Sequence, residues 1–348
     1  MTQPSPNIEY LQHPHVYAER DITIGKRLVI IAESDGGTLY EPLLVYHKDM
    51  AYEFFGGGPL VGAYEDAATF QKGLQVYLMR IEPYGHEVAL QVLEAFDFDL
   101  LFMKGIRFDK NKDVIEMFIE FCKIKEEKGN LVHGIASLGM QTYGDASKLF
   151  PEIEALSVEN GDETFENGKY LSLVPDQMDL KDAAAVYAGI ITYLNPEVSP
   201  INKTIKDVKL TVEYSKQEIL SFQEAGIVCF RNTFKKGVTC ASSSCAVRTE
   251  GSVHKHISNF RIAQFLINEI AISVRPLVGL PHPTFRALNI EDIVDATCIE
   301  HRELKRLRDY RYRVGVNDLY GIIDVEIEIV PIFSVHSMTT HSRVRIFK

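Results

Sequence analysis

The chain has 348 residues, 46% of them apolar and 24% charged, proportions that exclude disordered, collagen-like and coiled-coil classes. Its 48 acidic residues outweigh its 37 basic ones for a formal charge of −11, which excludes a protein that coats duplex nucleic acid by neutralising phosphates. No apolar run approaches the ~20 residues of a bilayer span, and the first 25 residues carry no signal-peptide core; the expectation is a protein without membrane insertion. Cys122, Cys229, Cys240, Cys245 and Cys298 form no even framework and no C-x-x-C pair, as expected of a chain made in a reducing cytoplasm.

Residues 1–25 are polar and contain Pro4, Pro6 and Pro14, with a short β-favouring stretch at Val16-Tyr17-Ala18. Such a segment has too little apolar surface to fold alone. Leu28 to Ala32 is an unbroken aliphatic run, the pattern of a buried strand. Helices are predicted over His47 to Phe55 and Ala63 to Lys72, and strands over Leu74 to Ile81 and Asp99 to Met103. Strand, helix and strand at this spacing predict a parallel α/β sheet. Lys112 to Lys128 is predicted helical, with Val114, Phe118, Phe121 and Cys122 on one face. Strands follow at Leu131 to Leu138 and Tyr170 to Val174, and the acidic stretch 157–169 between them reads as a surface loop. Ala183 to Leu194 is a small-residue helix stopped before Pro196.

The second half opens with a capping box, Ser215-x-x-Glu218, whose helix ends at Gly226. Ile227 to Phe234 and Val238 to Ala241 read as a hairpin. After Asn259, Ile262, Leu266, Ile270 and Val274 recur at steps of four, predicting a helix closed by Pro276. Another is expected from about Ile290 to Asp309. Ile323 to Ile329 alternates without a break, the mark of a strand with one wet face, and Arg343 to Phe347 predicts a short terminal strand.

No catalytic constellation stands out. Gly56-Gly57-Gly58-Pro59 lacks the Lys-Ser/Thr of a phosphate loop and reads as a helix-terminating turn. Cys240 and Cys245 with His254 and His256 have poor zinc spacing, and Cys122 and Cys229 read as small core residues rather than nucleophiles. No cofactor and no metal are therefore expected. One charge feature runs against the overall acidity: Arg302, Lys305, Arg306, Arg308, Arg311 and Arg313 stand against only Glu303 and Asp309. A solvated helix face is the default reading of such a run, and a stripe for an acidic partner is the alternative.

Several stretches carry a specific resemblance. The opening runs from His13-Pro14-His15-Val16-Tyr17 through RLVIIAESDGGTLYEPLLVYHKDMAYEFFGGGPLVGAYEDA to LQVYLMRI. Later come AGIVCFRNTFKKGVT, then SNFRIAQFLINEI with RPLVGLPHPT, and lastly YGIIDVEIEIVPIFSVHSMTTHSRVRI. In order and spacing these resemble the contractile-tail sheath proteins over nearly the whole chain. His15 stands where that family's arm usually has glycine, and the short chain implies few outward insertions.

The resemblance implies an α/β (α+β) fold: a compact sheath-type body of mixed sheets flanked by helices, with extended N- and C-terminal β-arms. It divides the chain into an exchange arm at 1–25, an α/β part at 26–200, a C-terminal α/β domain at 201–333 and a second arm at 334–348. It implies a structural subunit, not an enzyme, that polymerises around a tail tube and contracts to drive that tube through a target envelope. A non-contractile tail-tube or phage-like binding module, or a cytoplasmic Cys/His enzyme, is the alternative. Implied partners are further copies in stacked, hexameric rings, a tube protein, and baseplate and tail terminator proteins. The implied place is a virion or phage-tail-like particle assembled in the bacterial host cytoplasm. Val16, Tyr17, Ala18, Met338, Val344 and Ile346 would be arm contacts between subunits. The strand bearing Val325, Ile327 and Ile329 would accept an added strand, and Arg302, Lys305, Arg306, Arg308 and Arg311 would face the tube.

Overall fold

Leu28–Ala32 forms the first strand, β1, buried along its whole length, because it lies inside a sheet with helices on both faces. The computed structural model describes residues 23–160, 163–249, 251–277, 283–317 and 322–332. The chain continues through β2 (Leu43–Val45), α1 (Lys48–Phe55), α2 (Pro59–Ala67), β3 (Val76–Arg80), α3 (His86–Leu93), β4 (Leu100–Arg107), α4 (Lys112–Glu127) and β5 (His133–Ser137). After α5 (Tyr143–Ala146) and α6 (Phe150–Glu154) come β6 (Ser157–Asn160), β7 (Glu163–Glu166), β8 (Leu171–Val174) and α7 (Ala183–Tyr193). The six-stranded sheet has the order β2-β3-β1-β4-β5-β8. All of its pairings are parallel except that of the edge strand β2.

Alternate residues of β1 serve opposite cores. Leu28 and Ile30 join Phe55, Tyr64 and Tyr187 from α1, α2 and α7, whereas Val29 and Ile31 join Leu90 and Phe118 from α3 and α4. The apolar content of β1 therefore follows from two-sided burial. At the crossing of α2 and α7, a carbon added to Gly189 would stand 1.9 Å from the Ala67 carbonyl oxygen; only glycine lets the backbones approach this closely.

Gly56 and Gly58, with φ of 70° and 100°, end α1 and open α2 in turn, and Pro59 takes the first helical position. The second helix therefore starts at Pro59 and ends at Ala67, where Ala63 to Lys72 was expected; proline's preset φ starts it early. The stretch 157–169, expected as a loop, contains the antiparallel β6–β7 pair. Helix α3 was not anticipated at all.

The second half adds β9 (Thr204–Ile205), α8 (Lys216–Glu224), β10 (Phe230–Thr233) and β11 (Gly237–Cys240). The capping box at Ser215 and Glu218 is formed as read. Ile227 bridges Leu173 in parallel, and Val228, Phe230 and Cys240 belong to the same core as Leu28, so one core is drawn from both sides of residue 200. Helices α9 (Ile257–Val274) and α10 (Pro283–Glu303) and strands β12 (Leu307–Asn317) and β13 (Ile322–Pro331) follow.

The helix expected to reach Asp309 ends at Glu303 instead. Lys305 turns the chain at φ 58°, the Arg306 amide closes on the His301 carbonyl at 2.9 Å, and β12 begins at Leu307. The charge density of 302–313 masks a period of two carried by Tyr310, Tyr312 and Val314.

Candidate assembly surface

Strands β12 and β13 pair antiparallel from Leu307–Pro331 to Asn317–Ile322, with a register shift between Leu307 and Asp309. That bulge lets Leu307 and Tyr310 share one face despite their odd spacing. Tyr310, Tyr312 and Val314 with Val325, Ile327 and Ile329 lie half-buried against Ile262, Leu266, Val294 and Cys298 of α9 and α10. The Tyr310 hydroxyl donates to Asp295 at 2.8 Å, and burial together with that carboxylate pushes its pKa up to about 12. The other face is wet: Arg311, Arg313, Asp324, Glu326 and Glu328 are exposed. The register sets Arg311 opposite Glu328 and Arg313 opposite Glu326, an arrangement of opposite charges that favours the pairing.

Among the described residues this sheet has two strands only. A two-stranded ribbon is marginal in water by itself; here α9 and α10 support one face. Beside β13 a cavity of about 200 Å³ lies between Ile327, Ile329 and Pro331 and the body residues Leu131, Phe260, Ala263 and Ile267.

The structure brings Val325, Ile327 and Ile329 together on the supported face, but it does not place the basic residues on one helix face. Arg302 lies in the last turn of α10, 5.7 Å over the Tyr310 ring, and Lys305 sits in the turn. Arg306 is engaged with the body: its Nε donates to Glu197 at 3.0 Å and its guanidinium lies 4.7 Å from the Phe265 ring centre. Arg308 and Arg311 are exposed on β12. Val16, Tyr17, Ala18, Met338, Val344 and Ile346 lie outside the described residues.

Helix α9 carries a feature that the sequence reading missed. Its apolar stripe packs on α10, while Arg261, Gln264 and Asn268, all buried, line the face toward the start of the parallel strands. Arg261 donates to the Gly25 carbonyl at 3.1 Å, ahead of β1. Gln264 donates to the Asp99 and Leu131 carbonyls at 2.6 and 3.0 Å, ahead of β4 and β5. Asn268 donates to the Asp99 carboxylate at 2.8 Å and accepts from the Leu131 amide at 3.0 Å. Polar residues at i, i+3 and i+7, on a face apart from the step-of-four apolar stripe, were the available signal. Burial, opposed by nearby acidic groups, pushes the Arg261 pKa down to about 10.

All five cysteines are buried and unpaired by disulfides. Burial pushes the thiols up, to about 12 at Cys229 and about 11 at Cys298, so they are protonated at neutral pH. Among the described residues no group of three or more His, Cys, Asp or Glu is placed to hold a metal ion. No helix searched among them is long and apolar enough to cross a membrane. Around a polar cleft of about 460 Å³ at the ends of β4 and β5, polar side chains pair with one another. Lys104 pairs with Asp182 at 2.7 Å, Arg107 with Asp109 at 2.9 Å, and the Ser137 hydroxyl bonds Asp176 at 2.5 Å.

No protein-family model matches the sequence, and no curated protein matches it. Solved structures do. A chain of the anti-feeding prophage baseplate superposes with a TM-score of 0.70 at 12% identity, covering 97% of this chain and 100% of that one. A chain of the PVC sheath complex, an extracellular contractile injection system in its contracted state, gives 0.70 at 11% identity over 99% and 98%. The sheath tail protein Lin1278 from Listeria innocua gives 0.69 at 11% identity over 89% and 92%. This chain has the fold of the contractile tail sheath proteins.

Proposed function

We propose that the chain is a sheath subunit that polymerises into stacked, hexameric rings around a tail tube and contracts to drive that tube through a target envelope. The observation that carries this reading is the sheath fold of the body, on which the described residues of the β12–β13 ribbon form a two-stranded sheet supported on one face. Residues 1–25 and 334–348 would act as exchange arms from a body at 26–333, adding Val16, Tyr17 and Ala18, or Met338, Val344 and Ile346, as strands beside the acceptor residues Val325, Ile327 and Ile329 of a neighbour. Main-chain pairing of this kind survives large rotation of the bodies it joins. Baseplate and terminator proteins would bound the polymer, assembled in a bacterial cytoplasm into a phage-tail-like particle. The role is mechanical and not enzymatic.

Removing residues 1–20, or residues 336–348, should leave a soluble body with the far-ultraviolet circular dichroism of the full chain but no helical polymers by negative-stain microscopy. Normal sheaths from either truncation would refute the arm assignment.

The tube contact falls to the exposed cations Arg302, Lys305, Arg308 and Arg311, since Arg306 holds the body together. Single surface pairs contribute only ~0.2–1 kcal/mol and are screened by salt, which suits a contact that must release during contraction. Arg302→Glu with Lys305→Glu should keep the fold, abolish extended sheath on tubes and leave tube-free polymers. Extended sheaths of normal length from this variant, at low and moderate salt alike, would reduce these residues to a solvated surface.

A further inference from the structure

Gly25, just ahead of β1, and Ile332, just after β13, are joined through Phe265 and Arg306. Gly25, at φ +78°, packs so closely on Phe265 that an added carbon would meet its ring at 2.6 Å. On the same ring lies the guanidinium of Arg306, and the Arg306 carbonyl accepts from the Ile332 amide at 2.9 Å. Three cations converge from here on the end of α7. Lys26 Nζ donates to the Tyr193 carbonyl at 3.1 Å and Asn195 Oδ1 at 2.8 Å. Arg261 Nη2 donates to the Leu194 and Gly25 carbonyls at 3.0 and 3.1 Å. Arg306 binds Glu197 at 3.0 Å.

Carbonyls at a helix C-terminus carry partial negative charge, which explains why cations gather there. Arg261 is 1% exposed, and its Nε has no hydrogen-bond partner. Burying a cation against carbonyls alone is a poor way to gain stability, so its value lies in fixing position.

We propose that Gly25 and Lys26 on one side and Arg306 and Ile332 on the other are tied into one anchoring node, in which Lys26, Arg261 and Arg306 grip the end of α7 and Phe265 joins the two sides. Tension on either terminal segment then passes into α7 and α9 rather than through the sheet, and the two sides keep a fixed register with each other. The transmission of tension rests on the sheath reading above; the coupling of the two sides does not.

The test is amide hydrogen exchange on the unassembled full-length chain. It is followed at Lys26, whose amide bonds the Thr23 carbonyl, at Ile332, and at the central strand β5. Arg261→Met should speed exchange at Lys26 and at Ile332 by about tenfold or more while β5 stays within about twofold. Glu197→Gln, which removes the carboxylate that Arg306 binds and whose field reaches Lys26 and Arg261, should speed Lys26 as well as Ile332. Acceleration confined to Ile332 in Glu197→Gln would overturn the coupling, as would a uniform rise that includes β5. Should Arg261→Met not fold, Glu197→Gln decides alone. Coupled exchange in a chain that never polymerises would uphold the node and defeat the sheath reading.

Discussion

Replacing Arg27 by methionine is expected to lower the stability of the body by about 3–5 kcal/mol, read as a fall in the urea midpoint at unchanged slope. Asp99 is fully buried, and Arg27 supplies most of its partners. The Arg27 Nε and Nη2 donate to the two carboxylate oxygens at 2.8 and 2.7 Å, and the Arg27 amide adds a third bond at 3.0 Å. Methionine keeps the amide and the Asn268 contact but removes the charge, leaving a carboxylate in the interior without its cation. The cost comes from that stranded charge, not from the intrinsic worth of the pair. Arg27→Lys should recover part of the loss, because lysine restores charge without the planar fork. A loss below about 1 kcal/mol for Arg27→Met would show that Asn268 and the amide suffice.

The second large effect is an acid limb governed by His133. The ring is fully buried, its Nδ1 lies 3.1 Å from the Lys169 carbonyl and its Nε2 2.9 Å from the Ser172 hydroxyl. Because a carbonyl can only accept, Nδ1 carries the proton of the neutral ring. Burial is the main cause that pushes its pKa down from 6.5 to about 3. In the unfolded chain the ring takes up a proton near pH 6.5, whereas in the folded chain it does so only near pH 3. The stability associated with the neutral ring is therefore intact above pH 6.5 and falls as the pH drops toward 3, by up to about 1.4 kcal/mol per pH unit and several kcal/mol in all. Carboxylates add their own acid dependence, so the informative quantity is the difference between the chain and His133→Gln, whose amide can serve both neighbours. The variant's stability should decline less steeply from pH 6.5 to 4. Parallel curves over that range would mean that His133 charges in the folded state without cost.

What could be read locally was read from the sequence. The aliphatic run of β1, the capping box at Ser215, the step-of-four stripe of α9 and the alternation of β13 each express a backbone period or a cap within a few residues, and no distant partner is needed to recognise them. The resemblance to sheath proteins likewise came from the order and spacing of such segments, and the fold agrees with it. The tertiary structure decided the rest, where burial depends on residues far away in the chain. Arg302 to Arg313 looks like a charged helix until Glu326 and Glu328 are set across from Arg313 and Arg311, which makes a strand of the part from Leu307 onward and disperses the expected stripe. Arg261, Gln264 and Asn268 look like a wet helix face until the carbonyls ahead of β1, β4 and β5 are brought against them. A polar side chain is buried only where partners replace the water it loses, and those partners lie more than 130 residues away.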